Sequence, residues 1–338
     1  MVCHGILTKA AIMKFNNRGD DNFVYRLLAL LQSKLPYQVK ELKRIRKQVY
    51  LVITDYAWMI LKEFPSYKKL KIQEAFTNSL HYEGFHATYR FFSFEQDPII
   101  IDNRIYGCIE YIPESLKPFS YMDKDSRNEA LLLLGRYYEC TERLVDTYRY
   151  ILPDFDIFEK WTERGKQFKV NLPVAAQFLK GDILHELNGW IDWVLYQLEQ
   201  ERDNIDKQKK VILHGDVAHH NFHRGFNEEL YLIDFDLISI GPKSMDYLQY
   251  ANRILPLIGW SHHQLQKMSM LQPFLNERSF LIGLAFPTDI LREWNRLVRQ
   301  NKLGNDLARN HVVGLTEQQF SKRRKFVQKM MKLADRYS

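Results

Sequence analysis

The sequence predicts an α+β protein, with a small β-rich N-terminal part and a mostly helical remainder. Two observations carry this. Within residues 1–112, the runs Gln48–Thr54 and Trp58–Phe64 are rich in β-branched and aromatic residues, and only Asp55-Tyr56-Ala57 separates them, which is a hairpin pattern. Ile99–Ile101 and Arg104–Ile112 repeat it around the turn Asp102-Asn103. Within residues 113–338 the periodicity becomes helical, and Asn128–Tyr150 and Asp182–Gln200 are its longest stretches. The chain has no internal repeat and no low-complexity linker, so the boundary near Pro113 is marked by that change of style alone.

The elements follow in order. Tyr67–Tyr82 carries Leu70, Ile72, Ala75, Phe76 and Leu80 at a loosely helical spacing. Pro153 and the polar stretch around Thr162–Lys169 read as a separator between the two long helices. The second of these gathers Ile183, Leu184, Leu187, Ile191, Val194, Leu195 and Leu198 on one broad face. Lys210–Leu213 and Leu230–Ile233 are short strand-like runs, with Asn227-Glu-Glu229 a polar turn before the second. Beyond Asp246, Tyr247–Ile258 and Leu271–Ala285 read as apolar helices, and Pro287 breaks the latter. Phe326, Met330, Leu333 and Tyr337 mark an amphipathic terminal helix, with the basic block Ser321–Lys325 as its solvated face.

Composition sets bounds. At 338 residues, 46% hydrophobic and 26% charged, the chain has ample length for a real core, and its composition is that of a folded rather than a disordered chain. No apolar run is long enough to span a membrane, and Met1-Val-Cys-His-Gly-Ile6 lacks a secretory pattern. Three cysteines (Cys3, Cys108 and Cys140) make neither an even disulfide framework nor a metal spacing, so a reducing compartment is the simplest expectation. The net charge of +7 suits a nucleotide-binding cleft or an acidic partner surface. Nucleic acid is disfavoured, because the basic residues are scattered and no nucleic-acid-binding signature is present.

The chemistry concentrates in His214-Gly-Asp-Val-Ala-His-His-Asn221, followed by Leu232-Ile-Asp-Phe-Asp236, then Gly241-Pro242 and Asp246. Asp216 and Asn221 are five residues apart, and Asp234 lies thirteen beyond Asn221. A lone HGD or a lone IDFD is as easily structural as functional. Their order and spacing together match a catalytic loop for phosphoryl transfer, with a base Asp, a metal-binding Asn and a second metal-binding Asp on a short hairpin. On that reading Asp216 accepts or orients the proton of an acceptor hydroxyl, while Asn221 and Asp234 hold one or two Mg²⁺ ions as oxygen ligands. Strand alternation puts Asp234 and Asp236 on one side and Phe235 on the other, so Asp236 assists the metal or caps the turn toward Gly241-Pro242. His214 is the second candidate catalytic residue, and propping the loop by hydrogen bonding is the favoured role for it over direct chemistry. Lys62, with Ile60 and Leu61 before it, is placed like the strand lysine that pairs with nucleotide phosphates, and Glu74, twelve residues on, is a candidate partner for it. Surface lysines and glutamates are common, so an ordinary solvated role stands beside each of these.

At these residues the chain resembles the aminoglycoside phosphotransferase and choline-kinase-like family, whose signature is HGD with Asn five after the Asp, then IDF or IDW and an acidic residue. The resemblance runs from about residue 35 to 300. The LIDFD wording, the length and the basic, aromatic-rich lobes look most like the CotS-like, spore-coat-associated branch of endospore-forming bacteria. It implies a two-lobed, protein-kinase-like fold: residues 1–112 as nucleotide-binding lobe, a hinge at about 110–113, and residues 113–338 as a helical lobe carrying the catalytic loop. It further implies ATP as phosphoryl donor, Mg²⁺ as cofactor, and a hydroxyl of a small molecule or protein as acceptor. Backbone groups of Glu110 to Ile112 would read the adenine edge, and Asp246, the Asp of G-P-x-x-x-D, would be buried and hydrogen-bonding. The implied location is the mother-cell cytoplasm or the spore coat itself, with coat proteins as partners.

One feature departs from that pattern. Between the first two strands, where a phosphate-covering turn belongs, the chain reads Arg44-Ile-Arg-Lys-Gln48, without glycine. Glycine lets backbone N–H groups approach phosphates closely. Arg44, Arg46 and Lys47 can replace those donors with side chains. The alternative is a kinase-fold binding or structural component of the coat with little turnover.

Overall fold

The computed structural model describes residues 18–94 and 98–337. Cys3 and the Met1–Ile6 start lie outside them, while Cys108 and Cys140 are buried free thiols. Contacts divide the chain into two compact units, one holding the residues up to Thr77 with Tyr89–Ile112, the other Asn78–Thr88 with Pro113–Ser338.

The first unit contains α1 (Arg18–Lys34), β1 (Val39–Arg46), β2 (Val49–Thr54), β3 (Trp58–Phe64), most of α2 (Tyr67–Tyr82), β4 (Phe91–Phe92), β5 (Ile99–Ile101) and β6 (Arg104–Glu110). Its antiparallel sheet runs β1-β2-β3-β6-β4, with β5 also on β6. The expected β2–β3 hairpin forms, with Val49 opposite Lys62 and Ile53 opposite Trp58. Thr54 closes its turn: the hydroxyl donates to the Ala57 carbonyl at 2.7 Å and accepts from the N–H groups of Tyr56 and Ala57. Helix α1 was not expected. Its Phe23, Leu27 and Leu31, with Leu35 just beyond, recur every fourth residue and share one core with Tyr50, Val52, Met59 and Leu61. The β1–β2 connection is a two-residue turn, since Arg46 already pairs with Val49. Gln48 takes φ +68 there, in the left-handed region where glycine is the easy residue.

The second unit comprises α3 (Lys124–Tyr148), α4 (Ile157–Ala175), α5 (Gly181–Gln200), α6 (Arg202–Asp206), β7 (Lys210–Leu213), β8 (Phe222–Arg224), β9 (Leu230–Leu232), β10 (Ser239–Pro242), α7 (Ser244–Ile254), α8 (His262–Gln266), α9 (Arg278–Ala285), α10 (Thr288–Arg299), α11 (Asp306–Glu317) and α12 (Phe320–Ala334). None of the described helices is long and apolar enough to cross a membrane. Asp123 and Asp156 cap α3 and α4, each accepting a backbone N–H three residues on, at 2.7 and 2.9 Å.

Three sequence expectations change here. The polar stretch Thr162–Lys169 is not a separator but the middle of α4, where Ile157, Trp161, Gly165 and Phe168 are buried at helical spacing and the polar residues occupy the other face. Leu271–Ala285 is not one helix. Its first half is two single 3₁₀ turns, and Pro273 has no N–H to continue an α-helix there. The basic block on α12 is only partly solvated. Arg323 is 3% exposed, lies 4.1 Å from the Trp260 ring centroid and forms a two-pronged ion pair with Asp289 on α10.

That pair sets a pH dependence. Burial alone would push the Asp289 carboxyl up, but the Arg323 charge and its hydrogen bonds outweigh it and hold the pKa below the ordinary 3.8. A folded pKa below the unfolded one gives stability that is full above the unfolded value and lost as pH falls through the folded one. Asp289→Asn is expected to cost about 2 kcal/mol at neutral pH, because it strands a buried guanidinium. The gap from wild type in thermal melts should close as pH falls below about 3.8. A pH-independent gap would contradict the assignment.

Candidate functional site

The site in the second unit grows out of a short strand. β7 pairs antiparallel with β10 (Leu213 opposite Ser239, Val211 opposite Gly241) and is buried from Val211 to Leu213. It carries His214 into the core with no exposed surface. Gly215 has φ +78, and a Cβ there would stand 2.2 Å from the Leu237 carbonyl oxygen. Left-handed backbone and close approach both require glycine.

One face of α7 braces this loop. Asp246, Gln249 and Arg253 follow the i, i+3, i+7 spacing that aligns side chains along a helix. Asp246 is 1% exposed and accepts from the N–H groups of His214 (2.7 Å) and Gly215 (3.2 Å) and from the Tyr138 hydroxyl (2.9 Å). Its burial pushes the carboxyl pKa up, an effect offset in part by His214 and by these donors. Gln249 accepts from the Val217 N–H and donates to the Gly215 carbonyl, both at 3.0 Å. Arg253 reaches the Asp216 carboxylate at 2.5 Å. From the other direction the Tyr121 hydroxyl donates to the Val217 carbonyl at 2.6 Å.

His214 ties two turns together. Its Nε2 lies 3.0 Å from the Ile233 carbonyl and its Nδ1 3.3 Å from the Asp216 N–H. A carbonyl only accepts, so Nε2 carries the hydrogen and Nδ1 the lone pair. Burial lowers the imidazole pKa and so favours that neutral form. The Asp216 turn is thereby fastened to the residue preceding Asp234.

The β8–β9 hairpin completes the arrangement. Phe222 opposes Leu232, and just beyond the ladder the Ile233 N–H donates to the Asn221 carbonyl at 3.0 Å, so Asn221 and Asp234 lie at one end of the hairpin. Arg224 secures the other end through a two-pronged pair with Glu129 of α3, both contacts at 2.6 Å. The Asn221 amide nitrogen donates to the Asp216 carbonyl at 2.8 Å, leaving the amide oxygen as its acceptor. That oxygen and the Asp234 carboxylate are hard donors of the kind Mg²⁺ prefers. Among the described residues no group of three or more His, Cys, Asp or Glu is arranged for a metal, so a cation here would complete its shell with phosphate oxygens and water.

The strand alternation expected for Asp234, Phe235 and Asp236 does not hold. β9 ends at Leu232, and Asp234 takes φ +71, a conformation that Asp tolerates better than most residues. Phe235 is fully buried and Asp236 is exposed in the turn that follows. Asp234 and Asp236 are therefore not neighbours on one strand face.

In the first unit, Lys62 is 8% exposed on β3, with Gly107 opposite it on β6 and its ammonium 5.4 Å from the Phe64 ring centroid. Glu74 on α2 accepts from Lys71 and from the Ser93 hydroxyl, both at 2.7 Å. Glu110 ends β6, and its N–H is committed to the Arg90 carbonyl at 2.8 Å, so its main chain can offer a base only the carbonyl. Ile112 follows it, half-buried, before Pro113.

Gln249, Arg253, Tyr121 and Tyr138 were not read as site residues from the sequence. The available signal was Asp246, Gln249 and Arg253 recurring along one side of a helix that is otherwise largely apolar.

A solved aminoglycoside phosphotransferase from Alicyclobacillus acidocaldarius superposes with a TM-score of 0.69 over 90% of this chain and 95% of that one, at 15% identity. The fold is the two-lobed, kinase-like fold of the phosphotransferases. The same kinase-like fold is found in the GDP complex of aminoglycoside 2'-phosphotransferase-IIIa (TM-score 0.60, 12% identity, 90% and 99% coverage). It also matches spectinomycin phosphotransferase in complex with ADP and spectinomycin (TM-score 0.52, 14% identity, 92% and 97% coverage). No protein-family model and no curated protein matches the chain in sequence. At such identities the likeness concerns fold, and function must be argued from the site.

Proposed function

We propose that this protein is a phosphotransferase that moves the γ-phosphoryl group of ATP to a hydroxyl of a small molecule or protein. The observation that carries the reading is the braced loop: Asp216, with Asn221 bonded to its carbonyl and His214 fastening it to the residue before Asp234. Phosphoryl transfer asks mainly for positioning and charge neutralisation, and such a loop supplies positioning. Asp216 would orient or accept the proton of the alcohol. Asn221 and Asp234, with Asp236 beyond them, would hold Mg²⁺, which when bound neutralises phosphate charge. Lys62, with Glu74 on the neighbouring helix, would face the nucleotide phosphates, and the main chain of Glu110 to Ile112 the adenine. The GDP and ADP complexes among proteins of this fold support a nucleotide donor. Residues 1–112 and 113–338 would act as nucleotide-binding and catalytic lobes. Association with a bacterial spore coat rests on the LIDFD wording and the basic, aromatic-rich composition.

One observation favours a second reading, a coat-binding component of the same fold with little turnover. The β1–β2 turn contains no glycine and holds Gln48 at φ +68. Calorimetric titration with MgCl₂ and ATP separates the two. Saturable, Mg²⁺-dependent binding that disappears in Asp234→Asn is the expected result. Absence of binding at millimolar ATP would leave the binding-protein reading.

A further inference from the structure

The cavity beside Asp216 has the wrong charge for an aminoglycoside. It encloses about 660 Å³ within the second unit, a volume suited to a small molecule, and both Gly215 and Asp216 line it. Four cationic side chains, Lys160, Arg164, Arg253 and Arg292, line it against two carboxylates, Asp216 and Asp289. Both carboxylates are already engaged, Asp216 by Arg253 and Asp289 by Arg323. Arg292 is paired with Glu293 at 3.1 Å. That leaves Lys160 and Arg164 with no ion pair to any described carboxylate. They sit four residues apart on α4, hence as neighbours on one helix face. Arg164 donates to the Thr288 hydroxyl, and the Lys160 ammonium lies 4.9 Å from the Phe155 ring centroid.

The surroundings penalise this positive charge. Burial, with Arg292 nearby, pushes the Arg164 guanidinium down to about 10. Lys160 is an exposed residue, and desolvation, together with Arg164, lowers its pKa against the opposing pull of Asp246 and Asp216. Two buried polar atoms of lining residues also lack a hydrogen-bond partner, Arg253 Nε and Asn252 Nδ2, and both are donors. Uncompensated cations and spare N–H donors around one small cavity are what an anion relieves.

We propose that the acceptor is itself an anion: a small polyol or hydroxy acid bearing a phosphate or carboxylate, its charged group held by Lys160 and Arg164 and its hydroxyl presented to Asp216. The assignment rests on the phosphotransferase reading. The transfer it describes is balanced: the acceptor oxygen bonds to the γ-phosphorus, the bond from that phosphorus to the bridging oxygen breaks, ADP leaves, and the hydroxyl proton passes to Asp216. A cationic acceptor would meet Lys160 and Arg164 at the same wall and be repelled.

Calorimetric titration of the full chain tests this, with glycerol 3-phosphate and D-glycerate as probes and glycerol and choline as uncharged and cationic controls. At least one anion is expected to bind saturably, while glycerol and choline do not. Lys160→Gln and Arg164→Gln should each weaken that binding by about 10- to 100-fold. Asp234→Asn should lose Mg-ATP but keep the anion. Binding of the phosphate alone or of the carboxylate alone tells which anionic group is read. Should Arg164→Gln fail to fold, Lys160→Gln, at an exposed position, decides by itself. Equal binding of glycerol or choline, anion binding unchanged in the Lys160 variant, or Mg-ATP binding with no anion bound would each overturn the proposal. Anion binding without any Mg-ATP binding would keep the anion site and remove the phosphotransferase reading instead.

Discussion

Asp246→Ala is expected to be the most destabilising single change in the second unit, lowering the unfolding free energy by about 3–5 kcal/mol. The carboxylate accepts from the Tyr138 hydroxyl and from the N–H groups of His214 and Gly215, and it is 1% exposed. Alanine leaves three buried donors without an acceptor, at about 1–3 kcal/mol each and less than additively. Removing a buried charge returns part of that cost, which keeps the total below the simple sum. Asp246→Asn retains an acceptor oxygen and should lose less. Urea unfolding midpoints measure both. A loss within about 1 kcal/mol for the alanine variant would mean that the loop does not depend on its brace.

The second large effect is on turnover. With Mg-ATP as donor, Asp216→Asn is expected to slow phosphoryl transfer by about 10²- to 10⁴-fold, the usual worth of a positioned base, without weakening nucleotide binding. The Asp216 backbone is held by His214 and by Asn221, neither through its carboxylate, so the loop geometry survives the substitution. The carboxylate does hold Arg253, and the asparagine variant therefore leaves a guanidinium in search of an anion. Tighter binding of an anionic acceptor by Asp216→Asn, accompanying the fall in rate, would be the signature of both roles together. Unchanged turnover would remove Asp216 from the chemistry.

Hairpin and helix signals with short reach were legible. The β2–β3 hairpin, α2 from Tyr67 to Tyr82 and the long helices α3 and α5 lie where alternation and periodicity place them. His214 was expected as a prop and Asp246 as a buried acceptor; His214 Nε2 lies 3.0 Å from the Ile233 carbonyl, and Asp246 accepts from the His214 N–H at 2.7 Å. Misreadings came where local pattern and tertiary burial diverge. Thr162–Lys169 looks like a loop because its polar face is the one that composition emphasises, while Trp161, Gly165 and Phe168 pack inward between the charges. Asp234 looks like a strand residue because Leu230–Ile233 precedes it, yet burying Phe235 bends the chain into a left-handed turn.

Order along the chain specified the β2–β3 hairpin, the extents of α2, α3 and α5, and the spacing of Asp216, Asn221 and Asp234, since each depends on residues a few positions apart. Folding in three dimensions alone brought Arg253 to Asp216 from 37 residues away and Arg323 to Asp289 from 34. It also set Lys160 and Arg164 of α4 around the same cavity as Asp216. Charges that are far apart in sequence have no local pattern to announce them. Their pairing, and the surplus of positive charge left over, exist only once helices from different parts of the chain pack around one space.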